Sequence, residues 1–201
     1  APLLIDGKTI GTIGLALFGE PIAMDPQKLA VFEQFATVAS IAVKNALAHQ
    51  RTRHQAFHDP LTGLPNRAYL NNQLEAEMKK ARCGQASGAV LFIDLDDLKT
   101  VNDSFGHSSG DDLIKSAAAQ ICEAVGPDAF VARVGGDEFI AILPGEKNLR
   151  HIADIANQLV STAQREYLVG GHNIHMSISL GVTLYPSDGD QAEEILKNAD
   201  N

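Results

Sequence analysis

Apolar residues recur at two different spacings in the first 57 residues of the chain. Residues 2–5 and 9–18 are predicted as two strands joined at Asp6-Gly7, a pair that favours a tight hairpin turn. From residue 25 to about residue 57, apolar positions three and four apart predict one helix on the order of 50 Å long. These positions are Leu29, Phe32, Ala36, Ala39, Val43 and Ala46. Such a seam suits either a coiled coil that connects and dimerises signalling domains or a core helix of the N-terminal segment.

The remainder of the chain alternates between strand and helix patterns. A turn-rich segment at 59–67 precedes a helix from near Arg67, and a strand at 88–95 is followed by helical segments at 98–125 that break at 106–110. A hairpin at 129–134 and 138–143 and a helix at 149–166 come next. Residues 174–184 alternate between apolar and polar, as in a half-buried antiparallel strand. This order predicts an α/β fold of the α+β kind, with a mixed, partly antiparallel central sheet flanked by helices.

Composition and charge narrow the classes of function. The chain has 201 residues, 45% of them apolar, and a formal charge of -9. No nucleic-acid polymer is expected as a partner, because phosphate-backbone binding requires clustered Lys and Arg. Cys83 and Cys122 form neither a disulfide pattern nor a metal-site pattern, which indicates a cytoplasmic protein or the cytoplasmic portion of a larger one. No apolar run approaches the roughly 20 residues that span a bilayer, so no membrane contact is expected within this segment.

Two acidic turns are candidates for chemistry. Asp94-Leu95-Asp96-Asp97 ends the apolar strand, and Gly135-Gly136-Asp137-Glu138 forms the tip of the predicted hairpin. Each turn alone resembles an ordinary polar turn. If the hairpin lies beside the strand, however, Asp94 and Asp137 converge. Two carboxylates and a carbonyl are ligands that Mg²⁺ or Mn²⁺ takes when it also binds nucleotide phosphates.

An ordered set of motifs makes the interpretation specific. With these motifs, residues 55–201 resemble the GGDEF family of diguanylate cyclases. The motifs are Asp59-Pro60-Leu61-Thr62-Gly63-Leu64-Pro65-Asn66-Arg67, Asp94-Leu95-Asp96-Asp97-Leu98-Lys99-Thr100-Val101-Asn102-Asp103, Phe105-Gly106-His107-Ser108-Ser109-Gly110-Asp111, Arg133-Val134-Gly135-Gly136-Asp137-Glu138-Phe139 and Ser179-Leu180-Gly181-Val182.

The resemblance implies a palm-like nucleotidyl cyclase fold that condenses two GTP molecules into cyclic di-GMP and releases pyrophosphate. Each domain would bind one GTP, so catalysis would require a homodimer. The 3′-OH proton would pass to Asp137, to Glu138 or to water. By resemblance, the cation would be bound by Asp94, the Leu95 carbonyl, Asp137 and Glu138, the guanine by Asn102 and Asp111, and the phosphates by Lys99 near Gly135 and Gly136. The competing hypothesis is a non-catalytic GTP-binding module that regulates an attached phosphodiesterase or other output domain.

The chain departs from a complete family member at two places. The family's inhibitory product site, Arg-x-x-Asp, would fall at Gly126 and Ala129, so no such site is expected. The chain ends at Asn201, where the family continues through a phosphate-contacting helix, so the domain at 55–201 is expected to lack its last helix. Residues 1–50 resemble the C-terminal part of a GAF-like sensory domain that leads into a connector helix.

Overall fold

The computed structural model describes residues 1–14, 26–146, 148–163, 166–169 and 172–200. The chain forms two compact units, residues 1–55 and 56–201. None of the helices in the described ranges is long and apolar enough to cross a membrane.

The first unit consists of an antiparallel hairpin and a long helix. Strands β1 (Pro2–Ile5) and β2 (Lys8–Thr12) are joined at Asp6-Gly7, where both residues have positive φ, 48° and 79°. Helix α1 (Pro26–Phe57) has 32 residues and continues past the boundary between the units. The hairpin and the helix were both predicted from the sequence. The predicted end of the second strand, residues 15–18, lies outside the described residues.

The middle of the predicted apolar seam of α1 lies beside the hairpin, whereas Leu29 at its start is 46% exposed. Ala36 and Ser40 are buried, and the Ser40 hydroxyl accepts the Leu4 N–H at 3.0 Å and donates to the Ala36 carbonyl at 2.7 Å. Lys44 forms an ion pair with Asp6 at 2.6 Å. These contacts favour the core-helix interpretation of the seam over the coiled-coil interpretation. A second apolar stripe, on a different side of the helix from the seam, is exposed: Val31, Phe35 and Val38.

The second unit contains a four-stranded sheet between helices. The elements are α2 (Arg67–Arg82), β3 (Gly88–Leu95), α3 (Leu98–Phe105), α4 (His107–Val125), β4 (Phe130–Gly135), β5 (Glu138–Pro144), α5 (Leu149–Ala163), β6 (Glu166–Val169), β7 (His172–His175), β8 (Ile178–Tyr185) and α6 (Ala192–Asp200). The strand order is β4-β5-β3-β8, and all three described pairings are antiparallel. The predicted α+β fold, with a central sheet flanked by helices, is confirmed. A separate hairpin pairs β6 with β7.

Both faces of the sheet are covered by helices, which produces two apolar cores. On one face Leu91, Ile93 and Leu95 of β3 pack with residues of α3, α4 and α5. On the other face Val90 of β3 and Ile140 of β5 pack with residues of α2 and α6. Because successive residues of a strand point to opposite faces, even-numbered and odd-numbered residues of one strand contact different cores.

Two sequence predictions are wrong in the C-terminal third. The helix predicted to reach residue 166 ends at Ala163, and β6 and β7 follow it. The single strand predicted at 174–184 is divided between β7 and β8, and Thr183 is buried although the alternation placed it on a polar face. The reason is α6, which the pattern did not predict: it covers that face, and the Thr183 hydroxyl donates to the Ile195 carbonyl at 3.3 Å.

Gly181→Ala is expected to destabilise the second unit by about 1–3 kcal/mol, the usual cost of overpacking. A Cβ at Gly181 would lie 1.8 Å from the Ala199 carbonyl oxygen, so α6 would have to move away from β8. Denaturant unfolding measures the loss. Val182→Ala, at a position of the same strand that is 38% exposed, should cost less, and equal costs for the two variants would contradict this close packing.

Candidate active site

The two acidic turns meet at one end of the sheet. Asp94, on β3, is paired in register with Glu138, the first residue of β5. The Leu95 N–H donates to the Asp137 carbonyl at 3.1 Å, which joins the hairpin tip to the end of β3. Asp94 lies an even number of residues after Val90 on β3, and Glu138 lies two residues before Ile140 on β5. Both side chains are therefore on the face that α2 and α6 cover.

Negative charge is concentrated around Asp94. Burial raises the pKa of the Asp94 carboxyl, and the charges of Asp137, Glu138, Asp96 and Asp200 raise it further. Within the described ranges, no three His, Cys, Asp or Glu side chains are grouped as a preformed metal site. The available donors are therefore separate carboxylates that are not arranged as a ready-made metal site, together with backbone carbonyls such as that of Leu95.

Basic side chains lie beside this acidic cluster. Arg67, the first residue of α2, approaches Glu138 at 3.6 Å, and its Nε donates to the Val134 carbonyl at 3.3 Å. Next to this pair a cavity of about 250 Å³ opens between α2 and α6, and its lining includes Lys197 and Asp200. Glu138 thus has a cationic neighbour that the sequence interpretation did not assign.

The hairpin tip is fixed to the turn that precedes α2. Arg133 donates to both Asp59 carboxylate oxygens, at 3.0 and 3.1 Å, and also to the Gly136 carbonyl at 3.1 and 2.7 Å. Thr62 donates to Asp59 through its N–H and its hydroxyl. Burial alone would raise the pKa of Asp59, but these donors and the Arg133 charge hold the pKa below its usual value.

Asp59→Asn is expected to lower stability at neutral pH by about 2 kcal/mol, the usual range for hydrogen bonds to a charged group. Because the pKa of Asp59 is lowered in the folded state, its contribution is present above the unfolded-state pKa and is lost as the pH falls through the folded value. Unfolding of both proteins should be followed from pH 7 to pH 2. A difference that does not shrink in acid would show that the Asp59 charge is not what stabilises the turn.

The side chains predicted to contact guanine lie at the junction of α3 and α4. Gly106, with a φ of 84°, separates the two helices. A Cβ at Gly110 would lie 2.0 Å from Oδ1 of Asn102, so this glycine provides the space for the Asn102 carboxamide. Asp111 follows it and is exposed on α4, and Lys99 is exposed in the first turn of α3.

The carboxylate of Asp96 is directed towards β8. Ser177 donates to its Oδ2 at 2.5 Å and Ser179 donates to its Oδ1 at 2.8 Å. The pattern had grouped Asp96 with Asp94 in one acidic turn without assigning it a role. The partners of Asp96 are 81 and 83 residues away in sequence, beyond the reach of local spacing.

Comparisons with known proteins identify the family of the second unit. The family model described as diguanylate cyclase, GGDEF domain, matches residues 56–201. The bifunctional diguanylate cyclase/cyclic di-GMP phosphodiesterase MucR of Pseudomonas aeruginosa is 37% identical over 165 residues, 82% of this chain and 24% of MucR. The cyclic di-GMP phosphodiesterase NbdA of the same organism is 39% identical over 153 residues, 76% of this chain and 19% of NbdA.

A solved structure shows the same fold. The GGDEF domain of TpbB from Pseudomonas aeruginosa superposes with a TM-score of 0.68 at 34% identity, covering 71% of this chain and 84% of that one. The chain spans less than a quarter of the length of either MucR or NbdA. The second unit, with the acidic turns at the end of its sheet, therefore makes this chain a member of the GGDEF domain family of diguanylate cyclases.

Proposed function

We propose that the second unit is an active diguanylate cyclase that condenses two GTP molecules into cyclic di-GMP and releases pyrophosphate. The observation that carries the proposal is that Asp94 is paired in register with Glu138 at one end of the sheet and that the charges of Asp137 and Glu138 act on its carboxylate. A bound cation would relieve the repulsion between these carboxylates, and a triphosphate that binds together with a divalent cation supplies one.

The residues present fit a divalent cation, Mg²⁺ or Mn²⁺. Asp94, Asp137 and the Leu95 carbonyl would bind it, and Glu138 would join them by leaving Arg67. When bound, such a cation neutralises charge on the phosphates and polarises the phosphorus that is attacked. Asp137 and Glu138 would also orient the attacking 3′-OH.

The chain's own donors suit the rest of the nucleotide. Asn102 can donate to O6 or N7 of guanine, while Asp111 can accept from N1–H and N2–H, a combination that adenine does not match. Lys99 and the N–H groups at the start of α3 face the triphosphate in this proposal, with Gly135 and Gly136 allowing close approach of the backbone.

Incubation of the chain with GTP and Mg²⁺, followed by chromatography of the nucleotides, tests the proposal. Cyclic di-GMP is the expected product, and Asp137→Asn is the matched inactive control. GTP binding without product would instead support the second candidate, a regulatory GTP-binding module, which the similarity to NbdA, named as a phosphodiesterase, favours. Absence of GTP binding would contradict both.

The first unit would serve as the end of a GAF-like sensory domain and as a connector that brings two cyclase units together. The two cysteines of the chain, Cys83 and Cys122, lie in the second unit and are not bonded to each other, which suits a cytoplasmic location. In this proposal each cyclase unit binds one GTP, so the rate of product formation depends on the effective concentration of the cyclase unit from another copy of the chain.

Phe35→Glu is expected to lower specific activity at dilute protein and to shift the association equilibrium towards monomer. Phe35 is 64% exposed, between Val31 and Val38 on the apolar stripe of α1, so a helix partner would meet it directly. Phe35→Leu keeps the stripe apolar and should behave like the unaltered chain. Sedimentation and activity across a dilution series provide the measurement. Identical curves for Glu and Leu would place the dimer contact elsewhere.

A further inference from the structure

The turn between β3 and α3 is tied to β8 at one point. The two oxygens of the Asp96 carboxylate each accept one serine hydroxyl, from Ser177 and from Ser179. The Asp96 N–H also donates to the Ser177 carbonyl at 3.0 Å. Three hydrogen bonds thus connect one residue of the turn to the start of β8, and we call Asp96, Ser177 and Ser179 the serine clamp.

The turn has an uncommon backbone conformation. The chain passes from the end of β3 to the start of α3 within three residues, and Asp97 has a φ of 59°, which is uncommon for a residue with a side chain. The Asp97 side chain makes no capping hydrogen bond to α3. The first N–H groups of α3 are therefore not capped by this residue, and the stability of the turn depends on its other contacts.

Charge also argues that Asp96 needs its serine partners. Asp96 is one of the acids whose charge acts on Asp94. A free carboxylate would move away from the cluster into water, whereas two hydroxyl donors hold it in one orientation. Since both of its oxygens are engaged by serines, Asp96 differs from Asp94 and Glu138, which face each other across β3 and β5.

We propose that the serine clamp is a positioning device for the triphosphate of GTP. It would fix the turn so that the Leu95 carbonyl and the N–H groups at the start of α3 keep their places relative to Asp94. Ser177 and Ser179 are positioning residues, because they act through Asp96 and touch neither substrate nor cation. This inference rests on the proposed function. It adds residues at the start of β8, the strand that flanks β3 on the side opposite the β4–β5 hairpin.

Equilibrium binding of a non-hydrolysable GTP analogue with Mg²⁺, compared with guanosine followed by NMR titration, tests the clamp. The Ser177→Ala/Ser179→Ala variant should bind the analogue at least about tenfold more weakly, because small displacements of positioned groups are costly. Guanosine affinity should not change, since Asn102 and Asp111 remain in place. The Ser177→Thr/Ser179→Thr variant keeps both hydroxyls and should retain the affinity for the analogue. Ser161→Ala, on α5, is the control for the substitution itself.

Two results would overturn the clamp while leaving the proposed function standing. One is unchanged affinity of the alanine variant for the analogue. The other is equal weakening of the analogue and guanosine, which would indicate a general loss of structure. If the unaltered chain does not bind the analogue at all, the proposed function fails and the clamp fails with it.

Discussion

Asp94→Asn is expected to abolish cyclic di-GMP synthesis and to stabilise the folded chain at the same time. The loss of activity should be at least about 10²-fold, the size seen when one preorganised electrostatic contact is removed from an active site. Stability should rise because burial and four neighbouring carboxylates disfavour the charged form of Asp94, and asparagine removes that charge without changing the shape.

The stability gain has a defined pH dependence. Because the pKa of Asp94 is raised in the folded state, its favourable contribution is full below the unfolded-state pKa and is lost as the pH rises through the folded value. The difference between Asn and Asp should therefore be largest near neutral pH and should vanish in acid. Thermal unfolding without divalent cations, together with product assays, measures both effects.

Asp154→Asn is the matched control for this experiment, since Asp154 is exposed on α5 outside the acidic cluster. It should change neither activity nor stability appreciably. An Asp94→Asn variant that still condensed GTP would remove Asp94 from the cation ligands. A variant that was inactive and also less stable would mean that Asp94 supports the fold through contacts that outweigh the repulsion.

Gly110→Ala is expected to weaken GTP binding by about 1–3 kcal/mol, the range for leaving a polar group of the ligand unpaired. The added Cβ would lie 2.0 Å from Asn102 Oδ1 and 2.9 Å from its Cγ, so the carboxamide must leave its position. Alanine is otherwise favourable in a helix, and the variant should stay folded.

A double-mutant cycle distinguishes this cause from a general change in α4. On an Asn102→Ala background the carboxamide is already absent, so Gly110→Ala should cost little more. Calorimetric titration with a non-hydrolysable GTP analogue measures all four proteins. Additive losses would show that Gly110 acts by a route other than Asn102.

The parts of the site that follow directly from the sequence are those with local causes. An apolar run that ends in Asp94 predicts a buried strand with an acid at its end, and two glycines before Asp137 predict a hairpin tip. Gly106 interrupts a helical pattern and separates α3 from α4, although the break predicted at 106–110 is limited to Gly106 because α4 begins at His107. In each case the determining residues are within a few positions of the feature they produce.

The contacts that hold these parts in place could not be predicted in the same way. Asp59 and Arg133 are 74 residues apart, and the serines are more than 80 residues from Asp96. Their types are common in turns and strand ends, so no local pattern distinguishes them from solvent-exposed residues. The polar Thr183 was assigned to a solvent-facing side because alternation reports the chemistry of a face and does not reveal a helix that covers it.

The central sheet divides the proposed site between two separately packed cores. Asp94 and Glu138 lie on the side of α2 and α6, whereas α3, with Asn102, packs into the core on the other side. In the proposed complex, a nucleotide that contacts both groups must pass around the end of β3. The distance between the two groups is set by the thickness of the sheet, which the rigid strand keeps constant. Substitutions within one core can therefore change the contacts to one end of the nucleotide and leave the contacts to its other end unchanged.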